Sequence, residues 1–167
     1  MWKMENLEEF IECIGDLISS PRVLEMGKVP QHVDVSCLNH CIFVAYISFL
    51  VCRKFRWDFT AAARGGLLHD LFLYDWRVKG THEGLHGFSH PAAALRNASE
   101  LCELSAREKD IILKHMWPLT LRKVPRYRES FVVSGADKAC ALMEIFHIYH
   151  AMKVDARLIP AVSEANG

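Results

Sequence analysis

One long apolar segment near the middle of the chain limits how the protein can fold. Residues 41–52 (CIFVAYISFLVC) contain no charge, and the wider stretch 35–55 is apolar on nearly all sides. A membrane-spanning helix needs about 20 apolar residues, whereas a strand usually has about 4 to 8. The segment is therefore predicted to be a buried central helix around which the other helices pack.

Length and composition favour one globular domain. The chain has 167 residues, of which 51% are hydrophobic, and its 20 Lys and Arg residues balance its 20 Asp and Glu residues. This length suits one domain, and this hydrophobic fraction can form a substantial core. Because the formal net charge is zero, we expect neither nucleic acid nor a membrane as a partner. The sequence does not indicate an oligomeric state.

The N-terminal segment and the cysteines predict a cytoplasmic protein. Residues 1–21 carry five acidic side chains and do not have the pattern of a secretory signal. The six cysteines form no CxxC pair and lie mostly in apolar stretches. Buried free thiols in a reducing compartment explain this pattern better than disulfides do.

Apolar residues at helical spacing predict an all-α fold, a single-domain bundle of about six or seven helices. The first helix is expected to end near Ser20, and residues 21–34 are expected to form a long loop. The last long helix is predicted over residues 129–154, with an interruption near Gly135.

The helix after the central one has two notable features. Asp58 or Thr60 is a candidate N-terminal cap, and the helix is predicted to continue to about Tyr74. Gly65 and Gly66 lower its helix propensity, which indicates the close approach of another helix.

The second half of the chain contains further helix signals. Residues 75–89 are predicted to form a loop, and Pro91 fits the first position of the next helix. Ser105 and Glu108 form a capping-box pattern, which predicts a helix that ends near His115.

Six ionisable residues next to apolar segments are candidate metal ligands. A buried polar group without a partner costs roughly 1–3 kcal/mol, so burying several of them requires hydrogen bonds or a shared cation. Imidazole and carboxylate together suit Fe, Mn, Zn, Ni, Co or Mg. One or two ions are expected, and a hydrogen-bonded core network is the alternative. The candidates are His40, His69, Asp70, His90, His115 and Asp137.

The order of these residues resembles the H…HD…D signature of the HD-domain superfamily of metal-dependent phosphohydrolases. The resemblance spans about residues 35–144 and implies that residues 1–167 form a single domain of this type. It implies one ion held by His40, His69, Asp70 and Asp137. Two more histidines lie where members with a second metal carry them, so Asp70 would bridge to an ion held by His90 and His115.

The same resemblance implies hydrolysis of a phosphomonoester or phosphodiester by a metal-activated water. Asp70 and His69 would be the catalytic residues, and the substrate would be a small phosphorylated molecule, with nucleotides among the candidates. The HDIGK and GYP motifs of phosphodiesterase branches are absent, since the chain reads HDLFLYDW after Leu68. The resemblance therefore leaves the substrate open.

Three alternatives to the hydrolase remain at this point. The missing lysine after Asp70 weakly favours a non-catalytic sensor that binds a phosphorylated ligand through the metal. An oxygenase with a di-iron site is a second alternative. A thiolate zinc site at Cys37, His40 and Cys41 is a third, but no second Cys/His cluster completes its ligand set.

Several polar residues in the connections after Asp70 and His115 are candidates for substrate binding. If those helix ends face the ions, these connections lie at the rim of the site, where cations bind phosphate. His86 is a candidate substrate contact or substitute ligand. Ordinary surface charge is the alternative for each cation. The candidates are Arg77, Lys79, His86, Arg122, Arg126 and Lys138.

Overall fold

The computed structural model describes residues 3–78, 80 and 85–164, and over these residues the protein is all-α, as predicted. Two short antiparallel strands, β1 (Pro30–His32) and β2 (Val35–Ser36), and a 3₁₀ turn (Met26–Lys28) accompany the helices. Nine helices lie within the described residues, more than expected. They are α1 (Met4–Ile18), α2 (Pro21–Glu25), α3 (Cys37–Phe55), α4 (Phe59–Leu68), α5 (His86–Leu101), α6 (Ala106–Lys114), α7 (Arg128–Ile145), α8 (Ile148–Ala151) and α9 (Val154–Glu164).

The predicted central helix is α3, which packs against α1, α4, α7 and α9. The Ser36 hydroxyl caps its first turn by accepting a hydrogen bond from the Asn39 backbone N–H at 3.2 Å. By length and composition α3 could cross a membrane, and 56% of its most apolar window is buried inside this fold. The position of α3 brings the side chains of its first turn to one end of the bundle.

Two glycines allow α4 to lie directly against its neighbours, as predicted. A Cβ atom on Gly66 would lie 2.9 Å from the Ala45 Cα of α3, and one on Gly65 would lie 2.8 Å from a methyl group of Ile111 in α6. Asp58 is the cap, since its carboxylate accepts a hydrogen bond from Ala61 N–H at 2.9 Å.

The predicted extension of this helix to Tyr74 is wrong. Helix α4 ends at Leu68, and His69 occupies the C-cap position. Leu73 has a φ of 57°, a left-handed conformation that cannot continue an α-helix. The early end places His69 and Asp70 where α4 stops.

Helix α5 begins at His86, so Pro91 lies in its second turn and not at its first position, contrary to the prediction. Side chains bind the carbonyl groups of this first turn. Ser89 Oγ donates to Leu85 O at 3.2 Å, and His90 Nδ1 donates to His86 O at 2.7 Å. The helix ends at Leu101.

The capping box that opens α6 is confirmed. Ser105 Oγ accepts from Glu108 N–H at 3.2 Å, and the Glu108 carboxylate accepts from Ser105 N–H at 2.7 Å. Helix α6 ends at Lys114 with His115 at its C-cap. The capping residues therefore fix where the helix starts and where His115 lies.

The prediction for the last helix is wrong in two respects, since no interruption occurs near Gly135 and the helix ends at Ile145. Helix α7 continues through Gly135, and the chain leaves helical geometry at His147 and Lys153, where φ is 57° and 58°. These left-handed residues separate α8 and α9 from α7.

The predicted loop over residues 21–34 is also wrong. It contains α2, the 3₁₀ turn and β1, which pairs with β2. The residue before the hairpin is joined to the start of α3, since Cys37 N–H donates a hydrogen bond to Val29 O at 2.7 Å. All six cysteines are free thiols, as expected, and four of them are buried.

Candidate metal centre

The six candidate ligands lie on five different elements and meet at one end of the bundle. His40 is in the first turn of α3, and His69 and Asp70 follow α4. His90 is on α5, His115 caps α6, and Asp137 is on α7. Five of the six are at most 4% exposed, and the Asp137 side chain is 13% exposed.

One group of ligand atoms surrounds the Asp137 carboxylate. Its Oδ1 atom lies 3.2 Å from His40 Nε2 and 3.8 Å from His69 Nε2. His69 Nε2 also lies 3.5 Å from Asp70 Oδ2. Two imidazoles and two carboxylates therefore face a common point.

A second group surrounds the other oxygen of Asp70. Asp70 Oδ1 lies 3.2 Å from His90 Nε2 and 3.4 Å from His115 Nε2. Because Asp70 Oδ2 belongs to the first group, the carboxylate of Asp70 lies between the two groups. This geometry can serve two cations that share one carboxylate.

Two atoms at the centre of the cluster have no hydrogen-bond partner among the described residues. They are His69 Nε2 and Asp70 Oδ1, and both are buried. Their neighbours lie within 4 Å but not in hydrogen-bonding geometry. A buried polar atom without a partner costs about 1–3 kcal/mol, and a metal ion removes that cost by accepting the lone pair.

The four histidines are oriented by their outer ring nitrogens. Each Nδ1 donates to an oxygen that can only accept, so each Nε2 atom directs its lone pair to the centre unless it is protonated. Metal-bound histidines in proteins are held by partners of this kind. The Nδ1 partners are a carboxylate oxygen of Glu144 at 2.9 Å for His40, Gly66 O at 2.7 Å for His69, His86 O at 2.7 Å for His90 and Ile112 O at 2.8 Å for His115.

Glu144 is a functional candidate that the sequence analysis missed. It is fully buried on α7, and both of its carboxylate oxygens lie within 3.0 Å of His40 Nδ1. A sequence signal for it exists, because Glu144 follows Asp137 by seven residues and so lies on the same face of α7. It supplies negative charge to the His40 imidazole from outside the cluster.

Electrostatic interactions hold the carboxylates ionised. Burial opposes the charged form of Asp70, but His69, His90 and His115 have the larger combined effect and hold its pKa well below the usual value. Burial is likewise overcome at Asp137, where His40 and His69 keep the pKa well below the usual value. Both side chains are therefore anionic at neutral pH, the form in which a carboxylate can bind a metal ion.

The histidines differ in their protonation. Burial and the nearby His69 lower the pKa of His115 to about 3, so this ring is neutral at neutral pH and its Nε2 lone pair faces His90 Nε2 at 2.8 Å. Burial also disfavours the charged forms of His40 and His90. Their carboxylate neighbours outweigh that effect, so the pKa of each is raised.

The β-hairpin contributes two further residues that the sequence analysis did not identify. Gln31 Nε2 donates to Asp70 Oδ2 at 2.7 Å, which fixes the orientation of the carboxylate between the two groups. The half-buried His32 ring lies against His40, with ring centroids 5.3 Å apart. No pattern in residues 21–34 indicated these contacts, since they depend on how the hairpin folds against α3.

The cluster opens into a cavity of about 280 Å³. Asp70, His90, His115 and Asp137 form its polar side, and the remaining wall is largely apolar or aromatic. His86 is part of that wall and lies between two aromatic rings, with its ring centroid 5.5 Å from Trp76 and 4.5 Å from His90. The lining residues outside the cluster are Gln31, His32, Trp76, His86, Gly87, Met116, Lys138 and Ala141.

Of the residues predicted to bind substrate, the structure brings Lys138 and His86 to this cavity. Lys138 Nζ donates to His115 O at 2.7 Å and lies 3.3 Å from Asp137 Oδ2. Its ammonium group therefore lies at the edge of the cluster and is the cavity's one Lys or Arg among the described residues.

The other predicted substrate-binding residues lie elsewhere. Arg77 pairs with Asp75 at 3.1 Å on the surface. Arg122 and Arg126 line two separate cavities, because the connection after α6 folds away from the cluster. Lys79 lies outside the described residues.

Cysteine does not contribute to the cluster. Cys37 Sγ donates to the Asp70 carbonyl at 3.5 Å, and Cys41 Sγ lies 3.7 Å from His69 Nδ1, on the outer side of that ring. Within the described part of the chain, no group of converging ligand atoms includes a sulfur. This geometry does not support the thiolate zinc hypothesis.

The fold and site define a helical protein with a buried His/Asp cluster that could bind metal. Comparison of the chain with protein-family models, with curated proteins and with solved structures finds no match.

Proposed function

We propose that the protein is a metal-dependent phosphohydrolase with two ions in the His/Asp cluster. The observation that carries this proposal is the position of Asp70, whose two carboxylate oxygens face different groups of histidine Nε2 atoms. His40, His69 and Asp137 would complete one ion site, and His90 and His115 the other. The resemblance to HD-domain phosphohydrolases supports the same assignment.

The chemistry of the ligand set supports transition-metal binding. Imidazole nitrogen and carboxylate oxygen suit Fe, Mn, Zn, Ni and Co, and the outer hydrogen bonds fix each ring. Two such cations, when bound, activate a water and bind phosphate oxygens. Gln31 would keep the Asp70 carboxylate oriented toward the ions, because its side-chain amide donates a hydrogen bond to Asp70 Oδ2.

The cavity favours a small substrate with one phosphate group at the cluster. Its volume of about 280 Å³ is slightly below the usual range for ligand pockets, roughly 300–1,000 Å³. Lys138 would place a positive charge beside the phosphate, and the Trp76 and His86 rings offer an apolar wall to the organic part of the substrate. A small phosphomonoester or a mononucleotide has this combination of charge and shape.

The test is a phosphatase and phosphodiesterase panel with Mn, Fe, Ni and Co on the wild-type protein and on Asp70→Ala. We expect metal-dependent hydrolysis by the wild type and the loss of both turnover and bound metal in Asp70→Ala. Asp75→Ala, which alters a carboxylate paired with Arg77 outside the cavity, is the matched control and should behave as the wild type.

Two results would contradict the proposal. Full turnover by Asp70→Ala with normal metal content would exclude the mechanism. Tight, metal-dependent binding of a phosphorylated ligand without turnover would instead identify a sensor.

A further inference from the structure

A second cavity, of about 420 Å³, is lined by four arginines and shares no lining residue with the metal-centre cavity. The arginines come from three parts of the chain, at the end of α3, the start of α6 and the connection that enters α7. They are Arg56, Arg107, Arg126 and Arg128. The connection after His115 therefore contributes Arg126 and Arg128 to a cavity that is separate from the metal-centre cavity.

Only one of these arginines is neutralised by carboxylates. Arg107 pairs with Asp58 at 3.4 Å and with Glu129 at 3.2 Å. Within the described part of the chain, Arg56, Arg126 and Arg128 have no ion pair. Four guanidinium groups and two carboxylates leave an excess of two positive charges around one cavity.

Aromatic rings and a buried carboxylate hold Arg107 and Arg128 in place. The guanidinium carbon of Arg107 lies 5.0 Å from the centre of the Tyr127 ring, and that of Arg128 lies 5.5 Å from the centre of the Trp57 ring. Glu129 is 4% exposed and also accepts a hydrogen bond from Asp58 N–H at 3.1 Å. Cation–π contacts of this kind position guanidinium groups in advance and leave their N–H edges available to an anion.

The backbone adds to this positive potential. Helix α7 starts at Arg128, and no side chain caps its N-terminus. A helix N-terminus carries partial positive charge and exposed N–H groups, which favour a bound anion.

We propose that the Arg56–Arg107–Arg126–Arg128 cavity binds the phosphate group of a small anion. A phosphate group carries about −1.5 to −2 charges near neutral pH, which matches the local excess of two positive charges. The concave shape and the zero net charge of the chain favour a small ligand over an extended nucleic acid. The phosphate can be inorganic or carried on an organic molecule.

The site is linked to the metal centre through two helices. Arg107 lies in the first turn of α6, and His115 caps the other end of that helix. Arg128 opens α7, which carries Asp137. The distance along α6 is about 12 Å, so the two sites are separate but joined by continuous helix.

The experiment is a calorimetric titration of chelator-treated Asp70→Asn protein with inorganic phosphate, pyrophosphate and ADP. The chelator and the Asp70 substitution remove any metal and its bridging ligand, and the arginine variants then assign the remaining binding to one cavity or the other. We expect saturable binding, weakened roughly tenfold by Arg56→Gln and by Arg128→Gln, in line with the loss of one charge-assisted contact. Tighter binding of ADP than of pyrophosphate would indicate an organic ligand. Equal affinity for the two would indicate an inorganic ligand.

The matched control is Arg122→Gln, which alters an exposed arginine of the same connection that lines another cavity. It should change the affinity less than twofold, and thermal unfolding should show that all variants are folded. Equal losses in Arg122→Gln and Arg128→Gln, or no saturable binding of any of the three anions, would overturn the proposal. So would tight binding of a single-stranded oligonucleotide that pyrophosphate does not displace.

Discussion

The Nε2 atoms of His90 and His115 lie 2.8 Å apart inside the buried cluster, although the Nδ1 atom of each ring is bound to a backbone carbonyl. Two neutral rings held in this way would direct two lone pairs at each other. A proton or a metal cation between them removes the repulsion. The pKa of His115 is lowered to about 3 and that of His90 is raised, so His90 holds a shared proton more strongly than His115 does. A cation that binds both rings would displace it.

Replacing His115 tests the second ion site separately. His115→Ala removes one of the two imidazoles near Asp70 Oδ1 and leaves the His40, His69 and Asp137 group intact. We expect the metal content to fall from about two ions to about one per chain, measured by elemental analysis after purification. Lys109→Ala, which alters an exposed residue of α6 outside the cluster, is the control. An unchanged number of metal ions per chain in His115→Ala would contradict the assignment of two ions.

Glu144 is expected to tune the metal affinity of the His40 ligand. In Glu144→Gln the amide oxygen can still accept from His40 Nδ1, but the negative charge that increases the basicity of the ring is gone. Changes to outer-shell partners of this kind weaken metal binding about 10–100-fold, and competition with a chelator measures the change. Glu103→Gln, at an exposed glutamate, is the matched control. Equal affinity in the two variants would show that Glu144 has only a packing role.

The close contact between α3 and α4 predicts opposite effects for two glycine substitutions. Gly66→Ala places a Cβ atom 2.9 Å from the Ala45 backbone, and such overpacking typically lowers the free energy of unfolding by about 1–3 kcal/mol. Gly135→Ala, in the middle of α7, meets no heavy atom within 4 Å. There the higher helix propensity of alanine should raise stability by roughly 0.5–1 kcal/mol. Urea denaturation of both variants is the measurement. An equal change in the free energy of unfolding in both would contradict the close packing of Gly66 against Ala45.

Asp110 predicts a pH-dependent contribution to stability. Its carboxylate accepts from Arg126 N–H at 2.8 Å and from Ser130 Oγ at 2.7 Å, which ties α6 to the start of α7. Burial opposes ionisation, but the hydrogen bond from Lys114 and the other two together hold the pKa of Asp110 below its usual value. A carboxyl group whose pKa is lower in the folded protein stabilises it above the unfolded pKa. That stabilisation is lost as the pH falls through the folded value.

The measurement is the free energy of unfolding of the wild type and of Asp110→Asn as a function of pH. At pH 7 we expect the variant to be less stable by about 1–3 kcal/mol, because charge-assisted hydrogen bonds are lost. The difference should remain constant down to about pH 5 and shrink below about pH 4. A difference that stays the same at pH 3 would show that the charge of Asp110 is not involved.

Local signals predicted much of the fold. The apolar stretch 41–52 indicated the central helix α3, and the Ser105 and Glu108 pattern marked the start of α6. Gly65 and Gly66 indicated close packing because the cost of glycine in a helix requires a local reason. The candidate ligands were visible for a similar reason, since isolated histidines and aspartates beside apolar residues need partners when buried.

Other features depend on contacts between distant residues and could not be predicted from local patterns. His147 and Lys153 adopt left-handed conformations although neither is a glycine, so the end of α7 has no signal in the sequence. The contact between Gln31 and Asp70 requires the hairpin to fold against α3. Arg126 was predicted at the metal site because it follows His115 in sequence, but its connection turns toward Tyr127 and the other arginines.

The most direct test of the metal centre is anomalous X-ray diffraction from crystals of Mn-loaded wild-type protein, recorded on both sides of the metal absorption edge. The account predicts two anomalous peaks about 3.5–4 Å apart with Asp70 between them. The Nε2 atoms of His40 and His69 should contact one peak, and those of His90 and His115 the other. A fully loaded crystal with no peak among these side chains would contradict the central claim.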